Sequence, residues 1–386
     1  NNKVIKDVAV FYNGVETQGN VTINNATGVY ATPPLEITRD YTVRPSLGGD
    51  PLLGVSTVDL VKIQRHILGL DLFDSPYKHI AADVNGSASV TASDLVELRK
   101  LILGVTDRFP KSLPPWVFVK KNGGIPDPAV PFQYYDKIET EPLMADVTDA
   151  DFTAVKLGDV NLSDVNLDEN HTDKRSNETI MLHMSHRYEG GIDYLDFSFD
   201  ESISPDGLQL FLDMGHMAAQ YYDSYREGFS MPVTSDHHVS EGGFAFVMFG
   251  AAPGQITPGR KVLTIRMEAW AGQYPQLDKT RVSEVYVNGS GRKILLIPEK
   301  AATGFSLMHN PVYDRLYLRS HGDENIGDLD YQIFNADGKQ INAGYLSGIN
   351  ENELAIDLPQ GLRPGLYVVK LTAKQATSTL KFILIR

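Results

Sequence analysis

The segment Asp83-Val-Asn85-Gly-Ser87-Ala-Ser89-Val-Thr91-Ala-Ser-Asp94 puts oxygen-bearing side chains at loop positions 1, 3, 5, 9 and 12, with a backbone carbonyl at position 7. A hard cation such as Ca2+ takes six to eight oxygen ligands, and a chain curling round it turns alternate residues inward. The spacing predicts a Ca2+ loop held by the side chains of Asp83, Asn85, Ser87 and Asp94 and by the carbonyl of Ser89. Two positions depart from the pattern. Ala88 stands at position 6, where the turn wants φ > 0, and Asp94 is shorter than the usual Glu. The alternative reading of the same residues is an Asx-rich turn that caps the following helix without metal.

The loop belongs to a repeat. Ser56-Thr-Val-Asp59-Leu-Val-Lys-Ile-Gln-Arg-His-Ile67-Leu-Gly69 recurs 35 residues later as Thr91-Ala-Ser-Asp94-Leu-Val-Glu-Leu-Arg-Lys-Leu-Ile102-Leu-Gly104. Leu60, Ile63 and Ile67 match Leu95, Leu98 and Ile102 at a spacing that makes one apolar helix face, and each copy opens on a capping-box-like Ser/Thr-x-x-Asp. The region before the first helix, Gly48 to Asp59, keeps Asp50, Ser56 and Asp59 but has Gly48 at position 1 and Leu52 at position 5, too little oxygen for a tight site. A third fragment, Gly158-Asp159-Val160-Asn161, starts like such a loop with no helix after it; it either caps the helix pair or lends ligands to the incomplete first site.

Other chemistries find little support. There is no Gly-x-Ser-x-Gly elbow, no His-Glu-x-x-His and no phosphate-binding Gly loop. His183 and His186 lie in a strand pattern whose alternation sends them to opposite faces. His237-His238 reads as a solvated polar loop, and Tyr221, Tyr222 and Tyr225 as packing rather than a sugar-binding surface. No catalytic residue is assigned, and the chain is expected not to be an enzyme.

Composition narrows the class further. Over 386 residues, Lys plus Arg number 35 and Asp plus Glu 49, and the net charge of −14 disfavours nucleic acid or an anionic membrane as partner. The absence of Cys excludes disulfides, zinc–thiolate sites and Cys nucleophiles. With 33 Gly, 21 Pro, 18 Tyr and 16 Phe, the chain reads as turn-rich and β-rich. No apolar run reaches the roughly 18 residues of a membrane span; the longest, Phe244 to Ala252, has strand length. Starting at Asn1 without a basic or apolar leader, the sequence is expected to be a processed or excised piece.

The elements that must position the loop follow from periodicity. Short strands fill residues 1–46, around Val8, Val10 and Tyr12, then Val21 and Ile23, then Tyr41 and Val43. The helix pair comes next, followed by a Pro-rich wrap from Phe109 to Phe132 and a third helix expected from Thr148 through Phe152 and Val155 to Gly158. From about His171 the period becomes two, with Leu195, Phe197 and Phe199 alternating with acids, and Leu263, Ile265 and Met267 with polar residues. A β-sandwich is expected there, and a second, smaller one from about Thr303, with a hairpin turn at Asn335-Ala-Asp337-Gly338.

The repeat, Asp-x-Asn-Gly through Asp-Leu to Ile-Leu-Gly, resembles a dockerin module over residues 47–105. With Asp74-Ser-Pro-Tyr-Lys-His-Ile-Ala-Ala-Asp83-Val-Asn85 and Phe152-Thr-Ala-Val-Lys-Leu-Gly-Asp-Val-Asn161, it resembles the dockerin-like region of very large secreted proteins of Bacteroidota. Residues 1–46 are then similar to the end of a Cna-B-like sandwich, and 171–302 to a cohesin-type fold. The last segment, 303–386, with Asn310-Pro311, Ile333-Phe-Asn-Ala-Asp-Gly-Lys, Leu362-Arg-Pro-Gly-Leu-Tyr367-Val and Lys381-Phe-Ile, resembles the type A sorting domain of type IX secretion. The fold class so implied is multidomain and mainly β. Its helical dockerin-like module, taken as 47–170 with the Pro-rich wrap and third helix, precedes a cohesin-like sandwich and an Ig-like sorting domain.

The resemblance implies a non-enzymatic extracellular or outer-membrane-surface protein of a Gram-negative bacterium, an adhesin, matrix or fibre component. It would be exported by the type IX machinery with its shuttle barrel and sortase. Its cofactor would be Ca2+, and self-association would run through dockerin–cohesin-like contacts. Dockerin recognition positions correspond to Thr57/Val58 and Ala92/Ser93, which differ between the copies. The alternatives are accessory and sorting domains of a secreted hydrolase, or a carbohydrate-binding sandwich.

Overall fold

The computed structural model describes residues 4–14, 17–162, 178–189, 191–224, 233–268, 273–298, 304–321, 327–349, 353–373 and 377–385. Strands account for 45% and helices for 10% of it, the mainly-β architecture expected.

The chain begins with β1 (Ala9–Gly14), β2 (Gln18–Thr22) and β3 (Tyr41–Ser46), with β1 antiparallel to both others. Alternation turns Val8, Val10 and Tyr12 inward and leaves Phe11 exposed. Helices follow at α1 (Thr57–Ile67), α2 (Pro76–Ala82) and α3 (Ala92–Leu103). Both repeat helices open on complete capping boxes, Ser56 with Asp59 and Thr91 with Asp94. Leu60, Ile63, Leu98 and Ile102 meet in one core, as the shared periodicity predicts, with Ile67 and Leu95 at its margin.

The Pro-rich wrap holds no α-helix, as expected, only a single 3-10 turn at Pro110–Ser112, but it contains a strand, β4 (Trp116–Lys120). Downstream lie β5 (Ile138–Thr140) and β6 (Phe152–Lys156). The third helix expected from Thr148 is therefore corrected to strand β6, antiparallel to β4. The reason is two-sided packing. Trp116, Phe118, Phe152 and Ala154 face the N-terminal core, whereas Val117, Val119 and Val155 face the helical core, a period of two that a helix could not satisfy. Strand β5 pairs with β3, so the N-terminal sheet, ordered β2-β1-β3-β5, draws its last strand from beyond the boundary expected at residue 46. The boundary expected between 170 and 171 lies outside the described residues.

The middle unit comprises β7 (Thr179–Glu189), β8 (Ile192–Phe199), β9 (Gly207–Asp213), β10 (Ala219–Ser224), β11 (Val233–Ser240), β12 (Gly243–Gly250), β13 (Lys261–Met267), β14 (Gln276–Leu277), β15 (Glu284–Val287) and β16 (Ser290–Pro298). They run β10-β13-β8-β7-β16-β15-β9-β12-β11, with β14 beside β9 and a parallel pairing of β7 with β16. The two ends of this path approach each other, with the rings of Tyr221 and His237 stacked at 4.3 Å. One core from Ile180 to Ile294 fills the interior.

Strands β9 and β12 are buried on both faces. Leu208, Leu210, Leu212, Phe244, Phe246 and Met248 point into the sandwich, while Phe211, Ala245, Val247 and Phe249 join the helical core. This accounts for the uninterrupted apolar run at Phe244, since a strand covered on both sides has no polar face to alternate with. Helices α1 and α3 lie on this outer face. Gln209 Oε1 accepts from Thr57 N (3.0 Å) and Thr57 Oγ1 (2.9 Å), and its amide donates to Val282 O. A Cβ at position 207 would come within 2.7 Å of Thr57 Cγ2, so Gly207 is what lets the helix approach. At the other helix, the Arg281 guanidinium donates to the terminal carbonyls of Ile102 and Leu103 and lies 3.7 Å from the Phe211 ring centre, a cation placed where a helix C-terminus favours one.

The last unit has β17 (Gly304–Leu307), β18 (Arg315–His321), β19 (Gly327–Asn335), β20 (Gln340–Ile349), β21 (Glu353–Asp357), β22 (Gly365–Ala373) and β23 (Thr377–Leu384). Two sheets, β17-β18-β21 and β20-β19-β22-β23, enclose a separate core including Leu316, Leu318, Ile333, Val369 and Phe382. The expected turn is present: Asn335 Oδ1 accepts from the backbone N–H groups of Asp337 and Lys339. No helix among the described residues is long and apolar enough to cross a membrane.

Replacing Gln209 by Ala leaves two buried donors of Thr57 without an acceptor. The expected cost is about 1–3 kcal/mol, read by denaturant unfolding. Unchanged stability would show that Gln209 does not hold the helices to the sheet.

Candidate metal centre

Helix α2 delivers the second loop. Asp83, its C-cap, is 8% exposed and Asp94, in the first turn of α3, is fully buried. Asp83 Oδ1 accepts from Ser87 N at 2.8 Å and Oδ2 from Ala88 N at 2.8 Å, which winds the chain around the carboxylate. Ser87 Oγ lies 3.4 Å from Asp83 Oδ1 and 3.2 Å from Ser89 O. Asp94 Oδ1 accepts from Asn85 N (3.3 Å), and Oδ2 from Thr91 N (2.9 Å) and Thr91 Oγ1 (3.2 Å). All five residues expected to hold a cation are thus gathered in one loop. Ala88 takes φ of 62°, meeting the demand of position 6 at the steric cost of a Cβ.

Two features of this loop fit a hard cation. Asn85 Oδ1 is buried with no hydrogen-bond partner, an orphaned oxygen of the kind that calcium takes. Burial pushes the Asp94 carboxyl above the usual carboxylate range, and the charge of Asp83 adds to this, against hydrogen bonds from Thr91 and Asn85 that lower it. Among the described residues no three His, Asp or Glu side chains converge, so a cation here would need hydroxyl, amide and carbonyl oxygens to complete its donor set.

The first loop is built differently from its sequence reading. Asp50 turns away into its own Asx turn with Leu52 N (2.8 Å). Asp59, fully buried, accepts at Oδ2 from Ser56 N (2.9 Å) and Ser56 Oγ (3.2 Å). Its Oδ1 accepts from Val160 N (2.9 Å) and Asn161 N (3.2 Å). The third fragment therefore caps α1. Asn161 N serves Asp59 as Asn85 N serves Asp94, and Val160 and Val84 are buried in the same core. The identical tripeptides Asp83-Val-Asn85 and Asp159-Val-Asn161 play matching structural roles, one contiguous with its helix and one arriving a hundred residues later.

Strand β6 and Gly158 make this arrival possible. Gly158 has φ of 84°, its N–H donates to Ala81 O (2.8 Å), and a Cβ there would meet Leu98 and Val55 at 2.9 Å. Only glycine passes through that gap in that conformation. Asp159, 2% exposed, then lies close to Asp59, whose carboxyl is held well above the ordinary range by burial first and by the Asp159 charge second, with the backbone donors opposing.

Elsewhere the candidates disperse. His183 faces Asp200 at 3.5 Å and His186 bonds Asp193 at 2.8 Å, on opposite faces of β7 as expected. His237-His238 lies in strand β11 rather than a polar loop, its exposure being that of an edge strand. Tyr221 packs against the sandwich core, Tyr222 is exposed beside Tyr194, and Tyr225 lies outside the described residues. A group the sequence did not flag is His66, stacked on Phe73 at 4.1 Å with His79 at its edge; the i, i+7 and i+13 spacing across a turn gave no periodic signal. Gln209 and Arg281, which tie the helices down, were equally silent.

No curated protein matches the chain in sequence. Among solved structures, CopC from Methylosinus trichosporium OB3b is 24% identical over 20% of this chain and 84% of its own, with a TM-score of 0.17. A biofilm-associated protein BSP domain is 9% identical over 61% of this chain and 57% of its own (TM-score 0.18). The β-glucuronidase of Parabacteroides merdae is 11% identical over 51% of this chain and 28% of its own (TM-score 0.19). Residues 309–386 match the family model of the secretion system C-terminal sorting domain, so the chain carries a type IX sorting tail and is a secreted, cell-surface or extracellular protein.

Proposed function

We propose that this protein is a non-enzymatic extracellular assembly component whose calcium-bound, dockerin-like helix pair is docked on a cohesin-like sandwich. The observation that carries the reading is the docking itself. Thr57, the recognition position in the first repeat, is buried and bonded to Gln209 of the sandwich sheet, and it adjoins the acid-lined loop that ends at Asp59. Exchange of the same contact between chains would be heterologous and open-ended, the geometry that builds fibres.

Asp83, Asn85, Ser87, the Ser89 carbonyl and Asp94 would hold one cation. Asp59, Asp159 and Asn161 would form the core of a second, discontinuous site. Bound calcium supplies positive charge to carboxylates that burial otherwise presses toward protonation. The chain's own task is to orient them: Ser56 and Thr91 fix one oxygen of each capping Asp, and the backbone N–H groups of Asn161 and Asn85 fix the other.

Four measurements test this. Holding one site at 100 times its dissociation constant adds about 2.7 kcal/mol, so chelator should lower the melting temperature, and indifference to chelator would sink the calcium reading. The sign with pH is fixed by the raised carboxyls of Asp59 and Asp94. Their stabilising contribution to the metal-free fold is full below the ordinary Asp range near 3.9 and fades as pH rises through their folded values. The calcium-dependent increment in melting temperature should accordingly grow as pH rises above the ordinary Asp range.

Equilibrium dialysis should find two calcium equivalents, falling to one in both Asp83→Ala and Asp159→Ala; one equivalent in the native chain, kept in Asp159→Ala and lost in Asp83→Ala, would confine the metal to the contiguous loop. For assembly, light scattering on the full chain should show mass rising with concentration in calcium and not in chelator. A monomer under both conditions would remove the fibre.

A further inference from the structure

The sorting tail has its own core, yet a side chain of the tail reaches back to the middle unit. Arg319 on β18 lies with its guanidinium carbon 4.6 Å from the centre of the Tyr188 ring on β7, and its Nη1 is 3.8 Å from Asp193 Oδ2 on β8. Both sides of this contact are cross-strand pairs in register, Tyr188 opposite Asp193 on the β7–β8 hairpin and Arg319 opposite Glu353 on the tail. Glu353 Oε1 accepts from Arg319 Nε at 3.2 Å and Nη2 at 2.7 Å, which aims the remaining nitrogen at the hairpin. On the other side, His186 Nε2 sits 2.8 Å from Asp193 Oδ1, so the second carboxylate oxygen is the one turned to the arginine.

We propose that the tip of the β7–β8 hairpin is a receptor for a single guanidinium, filled by Arg319, and that this clamp sets whether the sorting tail is docked on the body or presented to the type IX machinery. The chemistry is specific to arginine. A planar cation can lie over the Tyr188 ring, share charge with Asp193 and keep its forked pairing to Glu353 at once, whereas a lysine ammonium offers a point charge without the fork. Asp193 has only 9% of its side chain exposed and Arg319 28%, so the pairing is shielded from much of the solvent screening that weakens surface ion pairs. Because β18 and β21 supply the tail's half of the clamp, a docked tail turns the outer face of that sheet toward the body. A receptor on the machinery would meet it only after the clamp opens.

The absence of Cys makes a direct test possible. Nitroxides at Glu241→Cys, in the β11–β12 turn of the body, and at Gln360→Cys on the tail report the inter-unit distance by double electron–electron resonance on the full chain. The expected result is one narrow distribution for the otherwise native protein. Arg319→Ala should move at least half of the population out of it, and Arg319→Lys fewer. Tyr188→Leu and Asp193→Asn should shift it in the same direction from the body side, with far-UV circular dichroism unchanged. A distribution in Arg319→Ala that superimposes on the native one overturns the proposal, as does a response to Arg319→Ala that neither body-side variant reproduces. If Arg319→Ala loses its near-UV signal, the two body-side variants decide.

Discussion

A β-strand apolar on both sides cannot be left facing water, and β9 and β12 are such strands. Their inner residues fill the sandwich, and their outer ones, Phe211, Ala245, Val247 and Phe249, are covered by α1 and α3. Everything near the loops follows from satisfying that face. Helix α1 must lie close, so its first residue, Thr57, has its N–H and hydroxyl carried out of water and needs Gln209 to receive them. The last carbonyls of α3 are likewise taken from solvent, and Arg281 meets them. The polar contacts specify the register of an association whose driving force is apolar burial.

The same economy of surfaces explains the β4–β6 ribbon. One face completes the N-terminal core through Trp116 and Phe118, and the other completes the helical core through Val119 and Val155. The N-terminal sheet and the helices are therefore joined in packing through the ribbon, which gives one face to each core. The tail is the contrast, since its core from Phe305 to Leu384 borrows nothing from the rest.

How much of this was legible follows from what local spacing can encode. The loop from Asp83 to Asp94 and the two repeat helices were readable because ligand spacing, capping boxes and apolar faces are all set within about a dozen residues. The sandwich strands at Leu195 to Phe199 and Leu263 to Met267 were readable because polar and apolar residues alternate along them, although two of the polar ones, Asp196 and Thr264, are buried and bonded to each other. Strand β6 was misread as a helix because Thr148-Asp-Ala-Asp151 imitates a helix start, and the partner that decides, β4, lies over thirty residues upstream. The run at Phe244 gave its length but not its meaning, since nothing local says that a second layer covers it. For the first loop, Gly48 and Leu52 marked the local site as incomplete, and the likeness of Asp159-Val160-Asn161 to Asp83-Val84-Asn85 pointed to the distant fragment without saying whether it caps the helices or completes the loop, because only the fold sets Val160 N and Asn161 N against Asp59.

That displacement makes the two loops unequal in what they depend on. Asp83 and Asp94 are eleven residues apart and Asp59 and Asp159 a hundred, about three doublings of loop length, and each doubling costs about 0.6 kcal/mol of closure entropy. The contiguous loop is closed by α2 and α3 alone. The discontinuous one is closed only where β6 is paired with β4 and Gly158 passes between Leu98 and Val55. Of two loops built from the same tripeptide, one is thus local and the other a clasp, and the Asp159-Val160-Asn161 strap ties the integrity of α1's cap to the packing of a ribbon a hundred residues away.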